Sequence, residues 1–135
     1  MNYCVLLDCL SNQARPIQQV KKTGLLQTAY DLIGCNTVQL VPLYPDRLPK
    51  GYEALCDEET YGKTKIFNPL ASWLYGCDDH GVPIVNNAII FKLKKSGDDF
   101  TWMTEEEARK IADDLNTRAD EIFDLTMFKT MSARQ

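Results

Sequence analysis

The chain has 135 residues, of which 44% are hydrophobic and 25% charged, enough for one domain with its own core. Nineteen acidic residues against fifteen basic ones leave a net charge of -4, the wrong sign for a surface that tracks phosphates, which argues against nucleic acid as the main partner. The apolar runs are far shorter than the roughly 20 residues of a membrane span, and the N-terminus has neither the basic start nor the cleavage site of a signal peptide, which predicts a cytoplasmic protein.

In chain order, residues 3–7 read as a buried strand, 11–15 as a polar loop and 16–20 as a second extended piece. Thr23 is a helix cap, and Leu25, Leu26, Ala29, Leu32 and Ile33 recur at helical spacing before Gly34 ends the helix. Residues 38–43 form a strand in which Pro42 removes a backbone donor, confining that stretch to a sheet edge or a bulge. The proline-rich piece 44–51 is a loop, 52–57 alternates as a half-buried strand, 58–62 is a polar turn and 63–67 is extended again.

Asn68 caps a two-turn helix, with Pro69 at the first helical position, where a missing N–H costs nothing, and Gly76 as its stop. A polar turn at 77–81 and an apolar strand over 82–91 follow. Thr104 with Glu107 makes a capping box, Met103 is a hydrophobic staple, and three acidic residues suit the helix dipole. Ala108, Ile111, Ala112, Leu115, Ala119 and Ile122 lie on one stripe, so a single long helix is expected to rest on a sheet. The expected fold is α+β: one domain over residues 1–125 and a fraying polar tail over 126–135. The sheet is expected to be mixed or antiparallel, of about four to six strands, with two main helices and one short one.

The segment 33–43, Ile-Gly-Cys-Asn-Thr-Val-Gln-Leu-Val-Pro-Leu, resembles the helix end, glycine and strand of an uncharacterised domain family of bacteriophages, mobile elements and large DNA viruses. Residues 56–59 resemble that family's acidic hairpin, 68–71 its helix-opening asparagine, and 84–90 its closing strand, so the likeness covers about residues 2–92. The family has a glycine near Asn86, and asparagine tolerates the left-handed backbone such a place requires. The resemblance implies no activity; it implies a small phage or viral accessory protein acting in the host cytoplasm.

Five cysteines at irregular spacing, Cys4, Cys9, Cys35, Cys56 and Cys77, predict free thiols, with Cys4 and Cys56 as small core hydrophobes. Cys77 and His80 lie in one polar turn with Asp78 and Asp79, but the single histidine and the absence of a Cys-x-x-Cys pair argue against zinc. A cysteine nucleophile needs its base within hydrogen-bond reach, so Cys77 with His80 defines the alternative of a small hydrolase. The carboxylates at 57–59 and 78–79 lack the alternation and glycine of a calcium loop, and no cofactor is expected.

A better ligand site is the amide and aromatic set Asn68, Trp73, Tyr75, Asn86 and Asn87, where helix N–H groups and side-chain amides can meet an anion or a nucleotide-like molecule. The structural reading of the same residues is a helix cap and core packing. Tyr44, Tyr52 and Tyr61 are candidate contact anchors for a host or viral protein, and a homodimer through a sheet edge is expected. The leading expectation is therefore a non-enzymatic binding module. The alternatives are the small hydrolase and a minor component of a virus particle.

Overall fold

The computed structural model describes residues 2–19, 22–97 and 99–133, with side chains described as far as Met127 in the last helix. Its strands are β1 (Tyr3–Asp8), β2 (Gln13–Gln18), β3 (Val38–Leu40), β4 (Tyr52–Asp57), β5 (Ala88–Leu93) and β6 (Phe100–Thr101). Its helices are α1 (Leu25–Ile33), α2 (Pro69–Tyr75), α3 (Cys77–His80), α4 (Glu105–Thr117) and α5 (Ala119–Ala133). Five strands run in the order β2-β1-β5-β4-β3, β6 pairs with β5, and every pairing is antiparallel. The α+β single domain expected from the sequence is the fold observed.

Alternation along the strands divides the core between the two sheet faces. Tyr3, Val5, Leu7, Ala54, Cys56, Ala88 and Ile90 point to one face, where α2, α4 and α5 cover them with Leu70, Leu74, Ile111, Leu115 and Ile122. Cys4, Leu6, Leu55, Ile89 and Phe91 point to the other and meet α1 through Ala29 and Ile33, with Phe100 and Trp102 alongside. The inner strands β1 and β5 are buried on both faces, which explains their unbroken apolar runs.

The helix punctuation around α2 is as read. The Asn68 side chain accepts from the Ala71 N–H at 3.1 Å, Pro69 opens the helix, and Gly76 closes it at φ 93. Any β-carbon at Gly76 would run into the Tyr44 ring, so glycine is required there for space as well as for conformation. At α4 the capping box forms in full between Thr104 and Glu107.

Several expectations are corrected. The cap of α1 is Gly24, with no side-chain bond, while Thr23 Oγ1 lies 3.4 Å from Thr28 Oγ1. The second strand begins at Gln13, inside the expected loop, because Asp8 accepts from the Leu10 and Ser11 N–H groups and ties a tight hairpin; Val20 lies outside the described residues. The extended pieces at 63–67 and 82–87 reduce to a single bridge between Phe67 and Val85, since Asn86 at φ 65 interrupts the second of them. The 77–81 turn contains α3.

The single helix expected over 104–122 breaks at Arg118, so α4 and α5 are separate and the helices among the described residues number five. The expected tail is helical to Ala133, and Thr126 is fully buried with its hydroxyl donating to the Ile122 carbonyl at 2.8 Å. Arg134 and Gln135 lie outside the described residues.

Candidate functional site

The two outer strands of the sheet are treated differently by the rest of the fold. In an antiparallel pair only alternate residues turn their N–H and C=O toward the neighbouring strand. Along β2 the bond from Gln19 N–H to the Asn2 carbonyl sets the pattern, so Ala14, Pro16 and Gln18 turn theirs outward. Pro16 has no N–H to offer. Ala14 is met by the Asn116 amide of α4, which donates to its carbonyl at 2.9 Å and accepts from its N–H at 2.7 Å. An amide standing where a strand would stand closes that edge.

Along β3 the bonds from Val41 N–H to the Ala54 carbonyl and from Glu58 N–H to the Thr37 carbonyl place residues 37, 39 and 41 toward β4. Val38 and Leu40 therefore direct their backbone groups outward, and among the described residues no hydrogen bond meets them. Leu40 is 52% exposed, and no charged side chain stands on this strand. Pro42 follows and ends the available donors, as the sequence reading of an edge required.

Beside this open edge, on the face that carries α2, lies a groove of about 270 Å³. Gln39, Val41 and Cys56 form its floor, with Tyr75, Val82 and Ile84 as its wall, and Val82 is 49% exposed. A smaller hollow of about 110 Å³ shares Gln39, Cys56 and Ile84 and continues to Asp57 and Thr60. Backbone groups at a sheet edge next to a groove of mixed polar and apolar lining match what a bound extended segment uses: main-chain hydrogen bonds for affinity and pockets for alternate side chains.

The amide set is engaged inside the fold. Asn68 is 1% exposed and donates to the carbonyls of Leu7 at 3.0 Å and Asn86 at 2.8 Å, besides capping α2. Asn86 takes the left-handed backbone expected of a glycine position, and its side-chain oxygen accepts from Ile66 N–H. Asn87 accepts from Cys9 N–H and donates to the Leu32 carbonyl. These three side chains fasten α2, β1 and α1 around the start of β5. Trp73 is 7% exposed, and Tyr75 stands edge-on to His80 at the groove wall.

Of the candidate contact tyrosines, Tyr61 is 97% exposed. Tyr44 packs under Arg47 and its hydroxyl reaches Asp79 at 3.3 Å, while Tyr52 donates to Glu107 at 2.5 Å and packs on the core. Burial, helped by the adjacent Glu107 carboxylate, pushes the Tyr52 phenol up to about 12.

The hydrolase pair is not assembled. Cys77 is fully buried with its sulfur 3.8 Å from the Thr126 carbonyl, whereas His80 is exposed and both its ring nitrogens face backbone. Nε2 lies 2.9 Å from the Tyr75 carbonyl and Nδ1 accepts from Val82 N–H at 3.0 Å, which assigns the proton to Nε2. Burial pushes the Cys4 thiol up to about 12 and raises those of Cys9, Cys35 and Cys56, so these four sulfurs are held as thiols rather than nucleophilic thiolates. Among the described residues no group of three His, Cys, Asp or Glu side chains could hold a metal ion.

Sequence reasoning missed Arg47. Its guanidinium binds both oxygens of Asp78 at 2.5 and 2.9 Å, donates to the Trp73 carbonyl, and stacks on the Tyr44 and Trp73 rings at 4.2 and 4.8 Å. Arg47 thereby holds Asp78 below the usual carboxylate range and pins the 44–51 loop to α2 and α3. No local signal marks it, because its hydrogen-bond partners lie about thirty residues away. The open edge was signalled only in part, by Pro42.

No protein-family model matches the chain, and neither the curated proteins nor the solved structures contain a significant match to it. No helix among the described residues is long and apolar enough to cross a membrane.

Proposed function

We propose that this chain is a non-enzymatic binding module that recognises an extended protein segment by strand addition at β3. One observation carries the reading: Val38 and Leu40 present outward backbone donors and acceptors beside a groove of mixed polar and apolar lining, while on the opposite edge of the same sheet Asn116 meets Ala14 and Pro16 has no N–H to offer. The engagement of Cys77, His80, Asn68 and Asn87 within the fold supports a binder over a hydrolase or a small-ligand trap. An accessory role for a phage or virus in the host cytoplasm belongs to the same reading and rests on the sequence resemblance alone.

The test places a photo-reactive group at Val82, on the groove wall, or at Lys110, on the exposed side of α4, in the full chain within host extract. Strand addition predicts a crosslinked protein from position 82 and none from position 110. The crosslink is lost in Leu40→Pro, which removes one outward donor and leaves the bonds to β4. A crosslink indifferent to Leu40→Pro, or one formed equally from position 110, overturns the proposal.

A further inference from the structure

We infer that the segment β3 receives is β3 of a second copy of this chain, paired antiparallel about a two-fold axis through Gln39. This rests on the strand-addition reading above and names its partner. The outward-facing residues are Val38 and Leu40, one residue apart. A two-fold axis at Gln39 sets Val38 opposite Leu40 of the second copy and Leu40 opposite its Val38, the reciprocal pattern that a closed dimer requires. Each pair exchanges both N–H to carbonyl bonds, and Gln39 meets its own counterpart at the close, non-hydrogen-bonded position between them.

Side chains and charge agree with that register. Val38 and Leu40 share the sheet face that carries α1, so the exposed Leu40 of each chain comes beside an apolar valine of the other. Residues 37–42, Thr-Val-Gln-Leu-Val-Pro, carry no charge, so two chains of net charge -4 meet along a neutral strip. No lysine guards this strand, in contrast to the protection of β2 by Asn116 and Pro16. Pro42 falls opposite Asn36 of the second copy and limits the pairing to this short stretch. The contact is small, so association is weak and depends on concentration.

Sedimentation equilibrium under reducing conditions, which exclude disulfide-linked dimers through the free cysteines, tests the inference on the full chain. From roughly 10 µM to roughly 1 mM the mass is expected to climb from 15.4 kDa toward twice that value. Leu40→Pro and, as a second variant that keeps every backbone donor, Leu40→Lys hold the mass at one chain while circular dichroism shows both folded. Over the same range, amide hydrogen exchange at Val38 and Leu40 slows while Gln39 and Val41 stay as they are.

A mass of 15.4 kDa at every concentration overturns the inference, as does a dimer that persists in both variants with Val38 and Leu40 exchanging freely. If the chain stays single while the protein crosslinked at Val82 slows those two amides, self-pairing is wrong and strand addition stands. If neither concentration nor that protein slows them, both fall.

Discussion

Replacing Asn68 separates a structural amide from a ligand-binding one. In Asn68→Ala the α2 cap is lost, which costs about 1 kcal/mol. The Asn86 carbonyl loses its donor as well, and a buried acceptor left unmet costs on the order of 1–3 kcal/mol, while the Leu7 carbonyl, which is also paired with Ala88 across the β1–β5 ladder, loses a second bond worth about 1 kcal/mol. The expected sum is about 3–5 kcal/mol, a large share of the roughly 5–15 kcal/mol that holds a typical domain. Asn68→Ser keeps an acceptor for the Ala71 N–H and loses only the two donors, so it is expected to lie about 1 kcal/mol above the alanine variant. Urea unfolding followed by tryptophan fluorescence reads this as a midpoint lowered by about 1.5–3 M with unchanged slope. If both variants lie within about 1 kcal/mol of the parent chain, Asn68 does not fasten the fold and its amide regains its standing as a ligand contact.

Two further outcomes follow from the same contacts. At Glu107 burial opposes the charge, but hydrogen bonds from Lys92, Tyr52 and the Thr104 backbone outweigh it and hold the carboxyl at about 2, against an ordinary 4.5. A carboxyl lowered by folding contributes stability that is fully present above about 4.5 and is lost as the pH falls toward about 2; Glu107→Gln flattens the unfolding free energy across that window, and an unchanged slope contradicts the assignment. Asn116→Ala removes both bonds to Ala14, costs about 2 kcal/mol in thermal unfolding and raises light scattering on incubation as the β2 edge opens; an unaltered variant would show that the edge needs no cover.

Features set by neighbours in sequence were legible before the fold was known. Asn68, Pro69 and Gly76 wrote out α2, and Thr104 with Glu107 wrote the start of α4, because caps and stops act within one turn. The break at Arg118 was hidden because the apolar stripe runs through it: Leu115 and Ile122 are both buried, on different helices. Thr126 looked like the start of a polar tail because a threonine that satisfies itself on the Ile122 carbonyl can be buried, which residue type alone does not show. The candidate site was the least legible part. Pro42 marked an edge, but whether Asn116 meets one side of the sheet and no described residue meets the other depends on pairings up to 102 residues apart. The amides drew attention as ligand groups for the reason that they matter structurally: each reaches a backbone group far along the chain.

The central claim is that one edge of this sheet is open and the other closed, and residue-resolved amide hydrogen exchange in dilute protein tests it directly. Ala14, held by Asn116, and Gln39 and Val41, bonded toward β4, are expected to exchange slowly, while Val38 and Leu40, which alternate with them, exchange close to the rate of an unprotected amide. Slow exchange at Val38 and Leu40 in the dilute single chain would mean that the fold already covers this edge, and strand addition at β3 would be contradicted.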